Sequence, residues 1–322
     1  MKRLLAALVL VVLLSACSTN ESSGGKDEYP KKNINWVIPY GTGGGSDQFA
    51  RNLIQAAKEV DASYNIVPIN MPGAMTGTGL NHFMKQKADG YTIFGGTQDV
   101  MLTMVQGNSD YTLEDIEPIM RNQYNIDMWF IQNQEKRFKN FDELIDFAKE
   151  NPGELKVATT GLHGTDAIAI KRIEEHFNVK FTNVPYDEPS ERYAALVGGN
   201  VDILHEQPGD VKAFLDNQDY LPVIAMSAEK IKGFEDVPTT LDYDLELTTG
   251  FWRGVFAKAG TPPEVVEALK DLLIQAMETE SYQTYEQDQY LYLREGLLTG
   301  EELTTFLEDE YSYLKEQSSK LK

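Results

Sequence analysis

The chain has 322 residues, one cysteine and a formal charge of −21 at pH 7. Such an acidic balance excludes nucleic acid as a partner and disfavours adhesion to anionic lipid headgroups. The single cysteine rules out an internal disulfide, and the length suits about two domains of ordinary size.

Residues 1–16 read as a signal peptide rather than as fold. Lys2 and Arg3 form a basic start, and Leu4 to Leu14 is an apolar stretch too short for a membrane span. Leu14-Ser15-Ala16-Cys17 is a small-residue cleavage site that resembles the bacterial lipobox, whose cysteine takes the lipid and becomes the mature N-terminus. Cys17 is therefore the expected lipidation site, and residues 17–29 a polar, lipid-anchored tether. Without Lys2 and Arg3 the mature chain has 27 basic against 50 acidic residues, a charge of −23. An anionic ligand must then be held by local dipoles against the overall field.

Asn35 to Ile54 is the stretch around which the rest is organised. Trp36 to Ile38 is a short apolar strand that Pro39 stops by removing a ladder donor. Gly41, Gly43, Gly44 and Gly45 follow, broken only by Thr42. Ser46 and Asp47 are expected as helix N-caps, with Phe49, Leu53, Ala57 and Val60 at helical spacing behind them. Strand, glycine loop and helix together aim free backbone N–H groups at one spot, which is an anion site. Gly41 to Ser46 fails the dinucleotide fingerprint at its last position, and no lysine completes a phosphate loop. A small carboxylate is the most economical ligand, against a loop that binds nothing.

Tyr64 to Ile69 reads as a second strand, followed by a glycine-rich turn over 70–79 and a helix to Lys87. Tyr91 to Gly95 is a third strand, opening into the loop Gly96-Thr97-Gln98-Asp99. Strands alternating with helices argue for a parallel sheet, whose ligands lie beyond the carboxyl ends of the strands. Loops 40–46, 71–79 and 96–99 all follow strands and so share one edge. Further on, Asn140 with Glu143 marks a helix start, and Pro152-Gly153 its stop. Leu155 to Thr159 is a strand running into Thr160-Gly161-Leu162-His163-Gly164-Thr165-Asp166 and another helix, which repeats the opening pattern. Strands follow at Lys180 to Pro185, Val201 to His205 and Leu221 to Met226. Pro189 opens a helix that Gly198-Gly199 ends.

These residues carry a family resemblance. Ile-Pro-Tyr-Gly-Thr-Gly-Gly-Gly-Ser-Asp (38–47), Met-Pro-Gly-Ala (71–74), Ala-Asp-Gly-Tyr-Thr (88–92) and Asn-Pro-Gly-Glu-Leu (151–155) come first. Val-Pro-Tyr (184–186), Gly-Gly-Asn-Val-Asp (198–202), Val-Pro-Thr (237–239) and Gly-Thr-Pro (260–262) follow in order. The series resembles the solute-binding proteins of tripartite tricarboxylate transporters, the Bug family, over nearly all of the mature chain. The resemblance implies an α/β, two-lobed type II periplasmic-binding-protein-like fold with a ligand cleft between lobes. It places the first lobe at residues 30–123 and 250–322 and the second at 124–249, with crossings near Asn122–Phe130 and Thr248–Ala257. Helices at Pro262 to Met277 and Gly300 to Leu314 return to the first lobe, with Glu301, Glu302, Glu308, Asp309 and Glu310 as a solvated face.

The implied function is an extracytoplasmic receptor, not an enzyme, that closes on a small carboxylic acid or amino-acid-like ligand and delivers it to membrane permease subunits. An envelope sensor passing a signal to a membrane kinase is the alternative. No cofactor or metal is expected, and the receptor is expected to work as a monomer. The resemblance sets loop 160–165 against loop 40–46 across the cleft. The candidate ligand contacts are thus Tyr40, Gly41, Thr42, Gly44, Gly45, Ser46, Asp47, Thr97 and Gln98 on one side. On the other are Thr160, Gly161, His163, Gly164, Thr165, Tyr186 and Asp187. Asp47 with Arg51 is either the mouth of the site or an ordinary i,i+4 surface pair. His163 either touches ligand or points outward from the rim. Phe251, Trp252 and Trp129 suit hinge packing better than ligand stacking. Where relatives usually carry Lys-Gly after Val-Pro-Tyr, this chain has Asp187-Glu188, while Arg253 returns one positive charge to the cleft. That argues for a monocarboxylate, or a zwitterion whose amino group meets Asp187, over a free tricarboxylate. The four histidines lack zinc spacing, and no nucleophile elbow accompanies Thr160, His163 and Asp166.

Overall fold

The computed structural model describes residues 29–248 and 250–320. The expected signal peptide, Cys17 and all but the last residue of the tether lie outside them. Residues from Lys32 onward form one compact unit built on two five-stranded sheets.

The first sheet begins with β1 (Ile34–Ile38), which ends at Pro39 as its missing donor requires. It pairs in parallel with β2 (Ile66–Asn70) and β3 (Thr92–Gly96). The crossovers are α1 (Gly45–Val60) and α2 (Gly77–Met84). Helix α1 buries Phe49, Leu53 and Ala57 as their spacing predicts, and Trp36 meets Phe49 edge-on at 5.5 Å. Burying a side chain of this size stabilises the lobe by about 1.5–3 kcal/mol. A third helix, α3 (Gln98–Val105), leads toward β4 (Ile116–Tyr124) at the sheet edge.

After Asn125–Asp127 the chain enters the second sheet with β5 (Met128–Gln132). Then come α4 (Phe141–Glu150), β6 (Lys156–Thr159), α5 (Thr165–Phe177), β7 (Thr182–Pro185), α6 (Pro189–Val197), β8 (Ile203–Glu206), α7 (Lys212–Asp216) and β9 (Tyr220–Ala225). Asn140 caps α4 by accepting from Glu143 N–H at 2.9 Å, and the Glu143 carboxylate accepts from Lys139 N–H in return. The chain returns through β10 (Trp252–Lys258), which lies antiparallel between β3 and β4. It finishes in α8 (Pro263–Met277), α9 (Glu280–Asp288) and α10 (Gly300–Lys320). Helix α8 packs on α1, and α10 on α3 and β4, so the C-terminal segment completes the first lobe.

The two sheets share one plan. Their orders are β2-β1-β3-β10-β4 and β7-β6-β8-β5-β9, each with one antiparallel strand in the fourth place supplied by the chain arriving from the other sheet. This is the two-lobed type II arrangement. The crossing segments are tied together where Asn125 N–H donates to the Phe251 carbonyl at 2.9 Å. Trp129 and Trp252 are fully buried beside the crossings.

Three local expectations need correction. Helix α1 starts at Gly45 with Gly44 as its extended N-cap, so Ser46 and Asp47 lie inside the first turn. A glycine can end the loop there because the Asp47 carboxylate reaches back to the Gly43 N–H and settles that donor instead. Gln98 and Asp99 are helical, in the first turn of α3, with Thr97 as the N-cap. Of the acidic residues in α10, Glu310 is half-buried rather than solvated, and burial raises its carboxyl above the usual range.

Candidate functional site

The carboxyl ends of β1, β3, β6 and β8 face one cleft, with a cavity of about 60 Å³ between the lobes. The first lobe supplies Tyr40, Gly44, Gly45, Ser46, Met75, Asp99, Phe251 and Arg253. The second supplies Thr160, Asp166, Asp187, Pro189, Arg192, His205, Glu206, Gln207 and Asp210.

The first glycine loop is shaped by two devices. Gly43 sits at φ +85°, a left-handed conformation that a side chain resists. Its N–H donates to Asp47 Oδ2 at 2.9 Å, while Asp47 Oδ1 accepts from Arg51 Nε at 2.8 Å and Asn70 Nδ2 at 2.9 Å. Burial would raise the Asp47 carboxyl, but these donors outweigh it and hold it below its ordinary value. Asp47 therefore fastens the loop rather than lining the cavity, and Arg51 turns outward beside it. The amides of Gly45 and Ser46, in the first turn of α1, have no intrahelical acceptor.

The loop's other glycines are explained by the opposite lobe. A Cβ on Gly44 would stand 2.6 Å from Pro189 Cγ, and one on Gly45 would overlap both Arg253 and Asp210. A Cβ on Gly41 would overlap the Glu188 carboxylate. The two lobes are thus shut directly against one another at this edge.

The second glycine loop is held by Asp166, whose Oδ2 accepts from Thr160 N–H at 2.9 Å and Thr160 Oγ1 at 3.0 Å. Gly164 caps α5, and the next amide, Thr165 N–H, donates across the cleft to Asp99 Oδ1 at 3.1 Å. The Thr165 hydroxyl donates to the same oxygen at 2.9 Å. Tyr40 OH lies 2.7 Å from Thr97 Oγ1 and donates to Asp99 Oδ2 at 3.3 Å. Burial, with repulsion from Asp166, raises the Asp99 carboxyl to about 6 against the pull of these donors.

Charged pairs fill the floor. Arg253 is 3% exposed and lies over Phe251 at 4.9 Å. It donates to Asp210 at 2.9 Å, Gln207 at 3.1 Å, Ser46 at 3.2 Å and Gln123 at 3.3 Å. Arg192 is ion-paired with Glu206, which also accepts from Tyr193 OH. The Arg192 Nε–H is buried and has no partner. His205 Nε2 lies 3.5 Å from Asp127 and 3.8 Å from Asp166, while Trp129 Nε1 donates to Nδ1 at 3.1 Å.

Of the residues singled out from the sequence, Tyr40, Gly44, Gly45, Ser46, Thr160 and Asp187 line this cavity. Thr97 and Thr165 bond to its lining residues Tyr40 and Asp99, while Gly164 lies beside Asp99 and Gly41 beside Glu188 and Pro189. Gln98 is turned away to β10, accepting from Trp252 N–H and donating to the Gly250 carbonyl. Thr42 and His163 are exposed, and the His163 carbonyl accepts from Gln106. Gly161 faces Met75, and Tyr186 is half-buried against the second lobe's core. Sequence reasoning did not single out Asp99, Arg192, Glu206, Gln207 or Asp210. Among the described residues, no group of three or more potential metal ligands is assembled.

Two lobes of like topology, hinged on two crossing strands and closed over a polar cleft, define a periplasmic-type solute-binding protein. Residues 49–294 match the tripartite tricarboxylate transporter family receptor, TctC, and the chain belongs to that family. A UPF0065 protein from the tcbD-tcbE intergenic region of Pseudomonas sp. strain P51 is 26% identical, covering 83% of this chain and 79% of its own. BugT of Bordetella pertussis is 23% identical over 87% of this chain and 86% of its own. Among solved structures, a TctC solute-binding protein from Polaromonas is 25% identical with a TM-score of 0.67, covering 91% of this chain and all (100%) of that one. Rpa4515 of R. palustris, solved with adipate, has a TM-score of 0.83 at 20% identity, over 91% of this chain and 98% of its own. MatC from Rhodopseudomonas palustris, solved with bound malate, has a TM-score of 0.79 at 20% identity, over 90% and 100%.

Proposed function

We propose that this chain is an extracytoplasmic receptor, anchored through lipidated Cys17, that binds a small carboxylic acid and delivers it to a tripartite tricarboxylate-type permease. The observation that carries the reading is the N-terminus of α1, whose Gly45 and Ser46 line a cavity between lobes shut so closely that a Cβ on Gly44 would collide with Pro189. Helix N-termini attract carboxylates, and the partnerless Nε–H of Arg192 adds a charged donor. Rpa4515 with adipate and MatC with bound malate support a carboxylic acid as the class of solute.

The lobes comprise residues 30–123 with 250–322, and 124–249, and they close about the crossings near Asn125 and Phe251. The chain acts by binding and conformational change rather than by catalysis, and the closed form is what a permease reads. Thermal-shift screening against organic acids tests this, because a ligand at 100 times its dissociation constant adds about 2.7 kcal/mol of stability. No shift with any acid overturns the carboxylate reading. Co-purification with permease subunits, rather than with a sensor kinase, tests the delivery step.

A further inference from the structure

The cavity's charges do not cancel. Arg253 is matched by Asp210 and Arg192 by Glu206, while Asp127 and Asp166 share the one Nε2–H of His205. Asp99 stands apart. It is 1% exposed, lines the cavity, and receives hydrogen bonds from neutral groups alone, the Thr165 amide and hydroxyl and the Tyr40 hydroxyl. Among the described residues no cation is paired with it. A buried carboxylate without a counter-charge is costly, and a cation brought to the same wall removes the cost.

The second lobe carries the complementary feature. Arg192 is 5% exposed and lines the same cavity, and its Nε–H is a buried donor with no acceptor. One lobe thus offers an unmatched anion and the other an unfilled cationic donor. A dicarboxylate answers only the second, and sets its far carboxylate among Asp99, Asp166 and Asp187. A molecule with a carboxylate at one end and an ammonium at the other answers both.

Resting on the reading of the cleft as a carboxylate receptor, we propose that its solute is a compact zwitterion, with its carboxylate toward Arg192 and its ammonium against Asp99. Asp99 is then the specificity-determining residue, selecting amino acids over the corresponding plain acids. The exposed Asp187 at the cavity mouth is not needed for that choice.

Calorimetry on the full chain with matched pairs tests the proposal: γ-aminobutyrate with butyrate, β-alanine with propionate, glutamate with glutarate, and butylamine as the amine alone. The expected result is that wild type binds an amino acid tighter than its plain acid by about tenfold or more, the worth of one charge-assisted hydrogen bond. Asp99→Asn, which keeps the acceptor for Thr165, is expected to erase that preference, while Asp187→Asn keeps it. If Asp99→Asn does not fold, the wild-type pairs alone decide. Equal or tighter binding of the plain acids sinks the zwitterion and leaves the carboxylate receptor standing. Tight binding of butylamine without need of a carboxylate sinks both. No response to any amino acid also counts against the proposal.

Discussion

Arg253 Nη2 donates to Asp210 Oδ2 at 2.9 Å from the opposite side of the cleft, so a buried ion pair joins the two lobes. Arg253 also holds Ser46 of the first glycine loop and Gln207 of the second lobe. In Arg253→Met, Asp210 is left as a buried carboxylate without its partner, at a cost of about 3–5 kcal/mol. The lobes can escape that cost by separating. The expected outcome is a larger radius of gyration in X-ray scattering and lost solute affinity, with the circular dichroism spectrum kept. Unchanged scattering and affinity would show that the pair does not hold the cleft shut.

Gly43 and Gly44 are adjacent, yet substitution at each is expected to fail differently. Gly44 has φ −82° and ψ 174°, which any residue adopts, but its Cβ would stand 2.6 Å from Pro189 Cγ of the other lobe. Gly44→Val should therefore fold normally and lose the thermal shift that solute produces. Gly43 has φ +85° and nothing within 4 Å of the added Cβ. Gly43→Ala should lower stability by about 1–2 kcal/mol from backbone strain while leaving closure intact. Retained solute response in Gly44→Val would refute the steric account of closure.

The strand, glycine loop and helix from Asn35 to Ile54 were legible because local signals agree: Pro39 ends the strand, the glycines permit the loop, and Phe49, Leu53 and Ala57 repeat at helical spacing. The parallel strands β1, β2, β3, β6, β7 and β8 show the same kind of signal, whereas the division into two lobes rested on the family resemblance and β4 was not read as a strand. The charged floor was not legible in this way, because Arg192, Glu206 and Asp210 come from separate elements of the second lobe and Asp99 faces them from the first. One clue was present. Pro189, Arg192, Tyr193 and Leu196 share one buried face of α6, and an arginine in a buried stripe needs a partner. Helix α3 was missed because Gln98 to Met104 is buried on every side and shows no period. Helix α9 was missed for the opposite reason, having few apolar residues to show one.

Asp99 should leave a signature in stability against pH. Its folded pKa of about 6 lies above the ordinary carboxyl value of 3.8, through burial first and then repulsion from Asp166. A raised carboxyl contributes stability that is full below the unfolded value and is lost as pH rises through the folded one. The contribution is therefore lost mainly between about pH 4 and 7, with a ceiling on the order of 3 kcal/mol. Without solute, the melting temperature of Asp99→Asn minus that of wild type should grow over this window. A constant difference would mean that Asp99 is solvated or already paired with a cation.

His205 is pulled in two directions, and Trp129 decides between them. Burial disfavours the imidazolium, but Asp166 and Asp127 outweigh it and would raise His205 to about 9 were Nδ1 free to take a proton. Yet Trp129 Nε1 can only donate, and it lies 3.1 Å from His205 Nδ1, which must then be bare. A second proton would set two N–H groups against each other. We expect the contact to win: in wild type at pH 7.5 the ring is neutral, with its proton on Nε2 facing the two aspartates. Trp129→Phe removes the opposing donor and lets the ring charge. The sign is then that of a raised histidine, whose contribution is full below about 6.5 and lost as pH rises through about 9. Nitrogen-15 spectra should show the Nε2–H tautomer in wild type and an imidazolium in Trp129→Phe, and only the variant should lose stability between pH 7 and 9.5. A doubly protonated ring in wild type at pH 7.5 would show that the aspartates, not Trp129, set its state.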